Sequence, residues 1–338
     1  MTTVALSVLD QVPVPEGSTA GEAIGRTLEL AGVAERLGCR RYWLAEHHNT
    51  ASLAGTAPEV LVGAVAAATR EIRVGAGGVL LPYYSPLKVA EAFRTLHALY
   101  PGRIDLGVGR AAGTDPVAES ALLASGGAAG DEHFDEEVAD LVGLLDGDLE
   151  GDHPWAGVQA FPGGPGGPEV WLLGSSSHGG ALAAALGLPF CFAHFITPSH
   201  GPQLVADYRQ RFRPGRLAAP LPTVAVAVMC ANTDAEARRQ AATADLWRLG
   251  PEGRGRAPIV AAEAAAASRP TELEQVKAAQ ARAKVVVGDP ERVGGRLVAL
   301  AAEFGVHELV VVTVCHDPAA RLRSYELVAE ALAAQPQP

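Results

Sequence analysis

Glu308-Leu-Val-Val-Val-Thr-Val314 is apolar at successive positions, not at alternate ones. A strand with one solvated face alternates apolar and polar residues, whereas a continuous apolar run of this length belongs to a strand covered on both faces. Outward from this run the chain repeats one unit, a short β-branched stretch followed by an amphipathic one. Val4–Leu9, Tyr42–Glu46, Ile72–Leu81, Ile104–Gly109, Val170–Leu173, Phe190–Phe195, Val224–Cys230 and Leu309–Val314 read as eight strands. Helices read at Gly21–Leu37, Pro58–Thr69, Pro86–Leu99, Asp135–Leu145, Gly180–Leu186, Leu204–Phe212, Ala235–Leu249, Pro290–Glu303 and Ala319–Leu332. Ile24, Leu28, Ala31 and Ala34 share one face of the first of these, and Ser85-Pro86 stand in the N-cap and first-turn places of the third. Eight such units favour a closed α/β barrel, a (β/α)₈ TIM barrel with insertions, over the alternative of an open doubly wound sheet.

No composition break divides the chain, so residues 1–338 read as one domain. Two stretches depart from the rhythm: a Gly- and Pro-rich excursion at about 148–168, and a Gly/Arg/Pro then polyalanine insertion at about 250–282, read as a possible lid. The 338 residues carry 27 basic side chains against 38 acidic ones, a formal charge of −11, which argues against a nucleic-acid partner. Cys39, Cys191, Cys230 and Cys315 lack the paired spacing of a zinc site and are too few for a disulfide framework. The N-terminus has no basic segment leading into a long apolar one, and no run nears the roughly 18 apolar residues of a membrane span. A cytoplasmic protein without membrane contact is the expectation.

In a barrel, chemistry is built at strand C-termini and the loops after them. The second strand ends in Glu46-His47-His48-Asn49. Neighbouring strand residues face opposite ways, so the two imidazoles do not converge on one ion, and no metal is expected. One histidine at the mouth reads as an acid/base group with its neighbour structural. The fifth strand ends in Gly174-Ser175-Ser176-Ser177-His178-Gly179-Gly180, at the start of a helix. Small residues, hydroxyls and the helix's positive end suit the phosphate of a cofactor, although one serine as a plain N-cap also fits. Arg110, at the tip of the preceding strand, completes a phosphate clamp. Gly107-Val-Gly109-Arg-Ala-Ala-Gly113 imitates a dinucleotide fingerprint, but its last glycine falls one residue late and no acidic partner follows. Lys88, Lys277 and Lys284 sit where no Schiff-base nucleophile of a barrel would.

Ala45-Glu-His-His-Asn49, Gly75-Ala-Gly-Gly-Val-Leu-Leu-Pro82, Pro101-Gly-Arg-Ile-Asp-Leu-Gly-Val-Gly-Arg110 and Leu173-Gly-Ser-Ser-Ser177 through Gly187-Leu-Pro189 occur in an order and spacing that resemble the bacterial-luciferase-like, flavin-dependent monooxygenase family. The resemblance covers most of the chain. It implies a barrel that binds reduced FMN at its C-terminal mouth and uses O₂, through a flavin hydroperoxide, to oxygenate a small organic substrate. With no convincing nicotinamide site in the chain, a separate NAD(P)H:flavin reductase is expected to deliver the reduced flavin. The Ala-, Gly- and Val-rich helix Pro58–Thr69 suits self-association, with a homodimer expected and a heterodimer the alternative, although ordinary packing on the barrel also fits it. The resemblance also implies a cis peptide on the third strand at Gly77-Gly78. His47 would then be the catalytic histidine, Arg110 and Ser176 with the backbone of Ser175 and Ser177 would hold the phosphate, and His194 would border the substrate pocket. Gly109 stands where the light-emitting members carry a reactive cysteine, so the resemblance does not extend to light emission. Two rival readings share this barrel, an F420-dependent hydride transferase and a non-catalytic flavin-binding subunit.

Overall fold

The computed structural model describes residues 4–110, 114–124, 131–149, 151–249 and 258–335. In chain order the elements are β1 (Ala5–Asp10), α1 (Ala20–Arg36), β2 (Arg41–Leu44), α2 (Pro58–Ala68), β3 (Arg73–Leu80), α3 (Pro86–Leu99), β4 (Ile104–Gly109) and α4 (Pro116–Leu123). Then follow α5 (Phe134–Asp146), β5 (Glu169–Gly174), α6 (Ser177–Ala185), β6 (Phe190–Ala193), α7 (Gly201–Arg211), β7 (Pro222–Cys230) and α8 (Asp234–Arg248). Last come α9 (Ala262–Ala267), α10 (Glu272–Arg282), β8 (Val285–Gly288), α11 (Pro290–Phe304), β9 (Glu308–Val312) and α12 (Pro318–Ala334). The strand pairings are parallel and run β6-β5-β4-β3-β2-β1-β9-β7, with β7 returning to β6. The expected barrel therefore closes.

Helix limits follow local chemistry. Thr19 and Glu22 form a capping box at the start of α1, and the side chains of Asp289 and Asp317 cap α11 and α12. Proline opens α2, α3, α11 and α12, where its missing N–H costs nothing. Most of the apolar core lies between barrel and helices, on the outward residues of the strands, such as Val8, Tyr42, Val74, Leu106, Leu172, Phe190 and Leu309.

One strand escapes the sequence reading. The Val285-Val-Val-Gly288 run follows α10 almost at once and is too short to show a period. It pairs with Ala227–Cys230 of β7, beyond Ala225, where pairing with β6 stops. Ala227 also pairs with Val312 on its other edge, so β8 continues the β6 side of β7 past the end of β6. The insertion expected at 250–282 contains α9, α10 and a bridge from Ile259 to Pro15, while residues 250–257 lie outside those described. The 148–168 excursion is irregular and includes a cis Phe161–Pro162 bond.

Inside the barrel, the N-terminal end is plugged by charge. Arg41 of β2 is 1% exposed. Its guanidinium meets Glu308 of β9 (Nε–Oε1 3.0 Å), Asp105 of β4 (2.9 Å) and Glu169 of β5 (3.0 Å). Trp43 Nε1 donates to Asp105 and Trp171 Nε1 to Glu169, and the Arg41 guanidinium lies 4.5 Å from the Trp171 ring centre. Ser7 Oγ, on β1, donates to Glu308 at 2.6 Å and receives the Arg41 backbone N–H. Removing one partner of such a network leaves buried charge uncompensated. Arg41→Ala is therefore expected to lower unfolding free energy by about 3–5 kcal/mol. Urea denaturation followed by tryptophan fluorescence measures it, and a loss below about 1 kcal/mol, the scale of a surface pair, would contradict the plug's role.

Candidate active site

At the opposite end, where the strands terminate, a cavity of about 400 Å³ enters the barrel. Its apolar walls include Leu9, Trp43, Leu173, Cys191, Ala225 and Val310, the inward residues of β1, β2, β5, β6, β7 and β9. Strand alternation selects them: Leu9, Trp43 and Val310 stand two positions, and Leu173 four, nearer the C-terminus than the plug residues Ser7, Arg41, Glu308 and Glu169. Burial pushes the Cys191 thiol up to about 12, so it is a neutral wall group.

Six of the residues singled out in the sequence meet on this cavity: His47, Gly77, Gly78, Arg110, Ser175 and Ser176. The Gly77–Gly78 peptide is cis, as the family resemblance implies. These glycines are also a matter of space. A Cβ on Gly77 would come within 2.8 Å of Leu9 and Trp43 side-chain atoms, and one on Gly78 within 2.7 Å of the Gly107 carbonyl and of Leu173. The β3 backbone thus forms a bare wall that any side chain would fill.

Facing β3's neighbour, β5 runs into α6 through Gly174, Ser175 and Ser176. Ser176 occupies the N-cap place with extended backbone, yet its hydroxyl makes no capping hydrogen bond. The first N–H groups of α6 and this hydroxyl are left for an anion. Arg110 follows β4 and is exposed on the same cavity. His178 lines the cavity beside them, its Nε2 2.7 Å from Asp135 Oδ1 of α5. Ser177 does not line it; as the first residue of α6 its side chain is exposed elsewhere.

The histidine pair lies just past the end of β2, at Leu44, in the loop and not on the strand itself. The two rings still diverge. His47 lines the cavity, with its backbone N–H bonded to the Gly55 carbonyl at 2.8 Å and its buried Nδ1 lacking a partner. His48 Nε2 sits 2.7 Å from Glu46 Oε1, and its ring meets Tyr83 edge-on. Glu46, also on the cavity, accepts the Tyr84 hydroxyl at 2.5 Å and the Leu80 N–H at 2.9 Å. Asn49 Nδ2 reaches Asp115 and Thr114 Oγ1 reaches the His48 carbonyl, tying this loop to the one after β4. Burial, aided by the charge of His48, lowers His47 to about 4.

His194 is placed differently from the expectation that it borders the substrate pocket. In β6, Cys191 and Ala193 face inward, and a turn follows in which Ile196 N–H bonds the Ala193 carbonyl. Parity turns His194 outward, edge-on to Phe304 of α11, into a separate groove. What the sequence reading omitted are the wall residues Trp43, Leu173 and Cys191, Glu46 as a loop anchor, and Phe134, Phe195 and Ile196 at the rim. The signal for the wall was available, since each falls on the inward parity of its strand. Among the described residues no three His, Cys, Asp or Glu side chains gather as a metal site, and no helix is long and apolar enough to cross a membrane.

The sequence profile of the family described as luciferase-like monooxygenase matches residues 4–308, and the chain belongs to that family. It is 40% identical over 332 residues to a luciferase-like monooxygenase of Escherichia coli strain K12, covering 96% of each chain. It is 34% identical to the N-acetyl-S-alkylcysteine monooxygenase of Bacillus subtilis over 338 residues, 98% of this chain and 99% of the relative. The crystal structure of apo-MsnO8 superposes with a TM-score of 0.87 at 42% identity, covering 99% of both chains.

The His47 environment sets a test of its own. The unfolded chain takes up a proton near pH 6.5 that the folded site refuses until about pH 4, so stability should fall as pH drops through that window. Histidine-labelled NMR should show one ring titrating near pH 4 that is absent in His47→Asn; a His47 midpoint near 6.5 would contradict the buried, unpartnered setting.

Proposed function

We propose that this protein is a flavin-dependent monooxygenase that takes reduced FMN and O₂ and oxygenates a small organic substrate. The observation that carries the reading is the convergence of an arginine, an uncapped serine turn, a side-chain-free strand wall and an unpartnered histidine on one cavity. Arg110, with Ser175, Ser176 and the first N–H groups of α6, would hold the phosphate. Gly77 and Gly78 would let the backbone approach the flat ring system. Bound reduced FMN supplies the two electrons that activate O₂.

The chain's own residues position, exclude and move protons. Apolar walls from β1, β2, β5, β6, β7 and β9 keep water from the ring, which limits unproductive decay. His47 enters neutral and offers an unpaired Nδ1 to a proton on substrate or cofactor. Glu46 holds the loop that carries it. The insertion over α9 and α10 is the candidate lid, Ser177 adds its backbone at most, and His194 has no part in the cavity.

A separate NAD(P)H:flavin reductase would supply the reduced cofactor, and one barrel domain spans the chain. A homodimer is the assembly we favour, since α2 leaves Val60 65% exposed beside its buried face. The F420-dependent hydride transferase is the rival on the same barrel. Titration with FMN, riboflavin and F420 separates them, and preferential F420 binding would overturn our reading.

Two substitutions divide the roles. Arg110→Ala should weaken FMN at least about tenfold while hardly changing riboflavin, as expected for loss of a charge-assisted contact to phosphate. His47→Gln should leave FMN affinity within about twofold and lower monooxygenation in the reconstituted system by about 10²–10⁴-fold. Equal losses for FMN and riboflavin in the first, or full turnover in the second, would sink the respective assignment.

A further inference from the structure

The outward turn of His194 opens onto a second concavity, of about 540 Å³, on the far side of β6 and β8. Arg238 of α8, Arg282 of α10, Lys284, and Arg292 and Arg296 of α11 line it together with His194, over a floor of β8 valines. No carboxylate is among the described residues that line it. The acids stand behind the guanidiniums. Asp234 is shared by Arg238 (3.0 Å) and Arg292 (3.2 Å), Glu303 reaches Arg296 at 3.6 Å, and Asp245 takes Arg282 and, at 3.6 Å, Arg248. The Lys284 ammonium donates to the neutral Ile196 carbonyl at 2.8 Å. Among the described residues, the cations gathered here from separate elements outnumber the acids paired with them, on a chain whose formal charge is −11.

Paired arginines along helix faces alone would make an ordinary solvated surface. Three features distinguish this one. It is concave, and its charges come from α8, α10, α11 and the β8 start, so no single helix's i,i+4 pattern explains it. Two buried nitrogens on its lining residues, His194 Nδ1 and Arg282 Nε, lack any hydrogen-bond partner. And Gly288 is bare where a Cβ would come within 2.7 Å of Arg292 Cδ and 2.9 Å of Asp234 Oδ1, which lets both close on the groove's edge. Guanidiniums meet oxyanions two bonds at a time, and several of them face this one concavity.

We infer that this groove binds a small polyanion, a compound carrying a pyrophosphate or clustered carboxylates. Its lining shares no residue with the barrel-mouth cavity. The two sites adjoin through the turn after β6, in which His194 faces the groove while Phe195 and Ile196 face the mouth.

Isothermal titration of the full chain with pyrophosphate and, separately, with citrate tests this, at matched ionic strength. Saturable one-to-one binding of either is expected, and the tighter of the two tells phosphate from carboxylate chemistry. The Arg292→Ala/Arg296→Ala double variant, at two half-exposed positions, should bind at least about tenfold more weakly with unchanged circular dichroism and unchanged FMN affinity. His194→Ala should weaken binding less. Heats that follow ionic strength without saturating, binding that survives the double variant, or displacement of pyrophosphate by FMN would each overturn the inference. Failure of FMN to bind at all is read in a separate titration and leaves this result standing.

Discussion

A guanidinium inside a barrel is an expensive object, and the rest of this structure is arranged around keeping Arg41 satisfied. Desolvation works against its charge, while Asp105, Glu308 and Glu169 hold the charged form and raise its pKa further. Those three carboxylates come from β4, β9 and β5, so the Arg41 side chain ties four strands in register, and Ser7 of β1, bonded to Glu308 and to the Arg41 N–H, adds a fifth. A slip of one residue in any of them would turn the carboxylate to the helix layer and an apolar residue to the plug. Above the plug, Trp43 and Trp171 meet edge to face with ring centres 5.2 Å apart, each tied by its indole N–H to an acid below. The barrel is therefore solid at its N-terminal end. The cavity lies at the C-terminal end, with the two indoles between it and the charged floor.

A second buried charge secures the mouth from outside. Burial opposes ionisation of Asp10, but Arg321 of α12, the Tyr42 hydroxyl, the Val12 N–H and the Thr27 hydroxyl outweigh it and hold the carboxyl below its ordinary value. The last helix of the chain is thereby pinned to the end of the first strand. Stability from this group is present above the unfolded aspartate range near pH 3.9 and is lost as pH falls below it.

Much of this was legible. The apolar runs disclosed both-face burial and hence the barrel; the strand-end rule then led to Arg110, the serine turn and His47, which the fold does bring to one cavity. What was not legible has physical causes. β8 is four residues long and carries no period, and α4 and α9 are too short to show one. The plug lies at strand starts, which the rule that places chemistry at strand C-termini does not reach, although Ser7, Arg41, Asp105, Glu169 and Glu308 put one polar residue near the start of each of five strands. His194, which the resemblance puts at the substrate pocket, lines the outer groove instead, because parity counted from Cys191 turns it outward.

That count also explains why two sites of opposite character can sit side by side. Along Cys191-Phe-Ala-His194 the inward residues are small and uncharged, and the outward ones pack on Phe304 and face the arginines. The mouth consequently keeps His47 in an apolar enclosure, where burial favours the neutral ring. Glu46, the carboxylate next to His47 in the chain and on the same cavity, spends its oxygens on Tyr84, Leu80 and His48. A carboxylate free to reach His47 would favour the charged imidazolium and occupy the nitrogen; committed elsewhere, it leaves Nδ1 open. The same loop that carries His47 thus also holds the one adjoining carboxylate away from its ring.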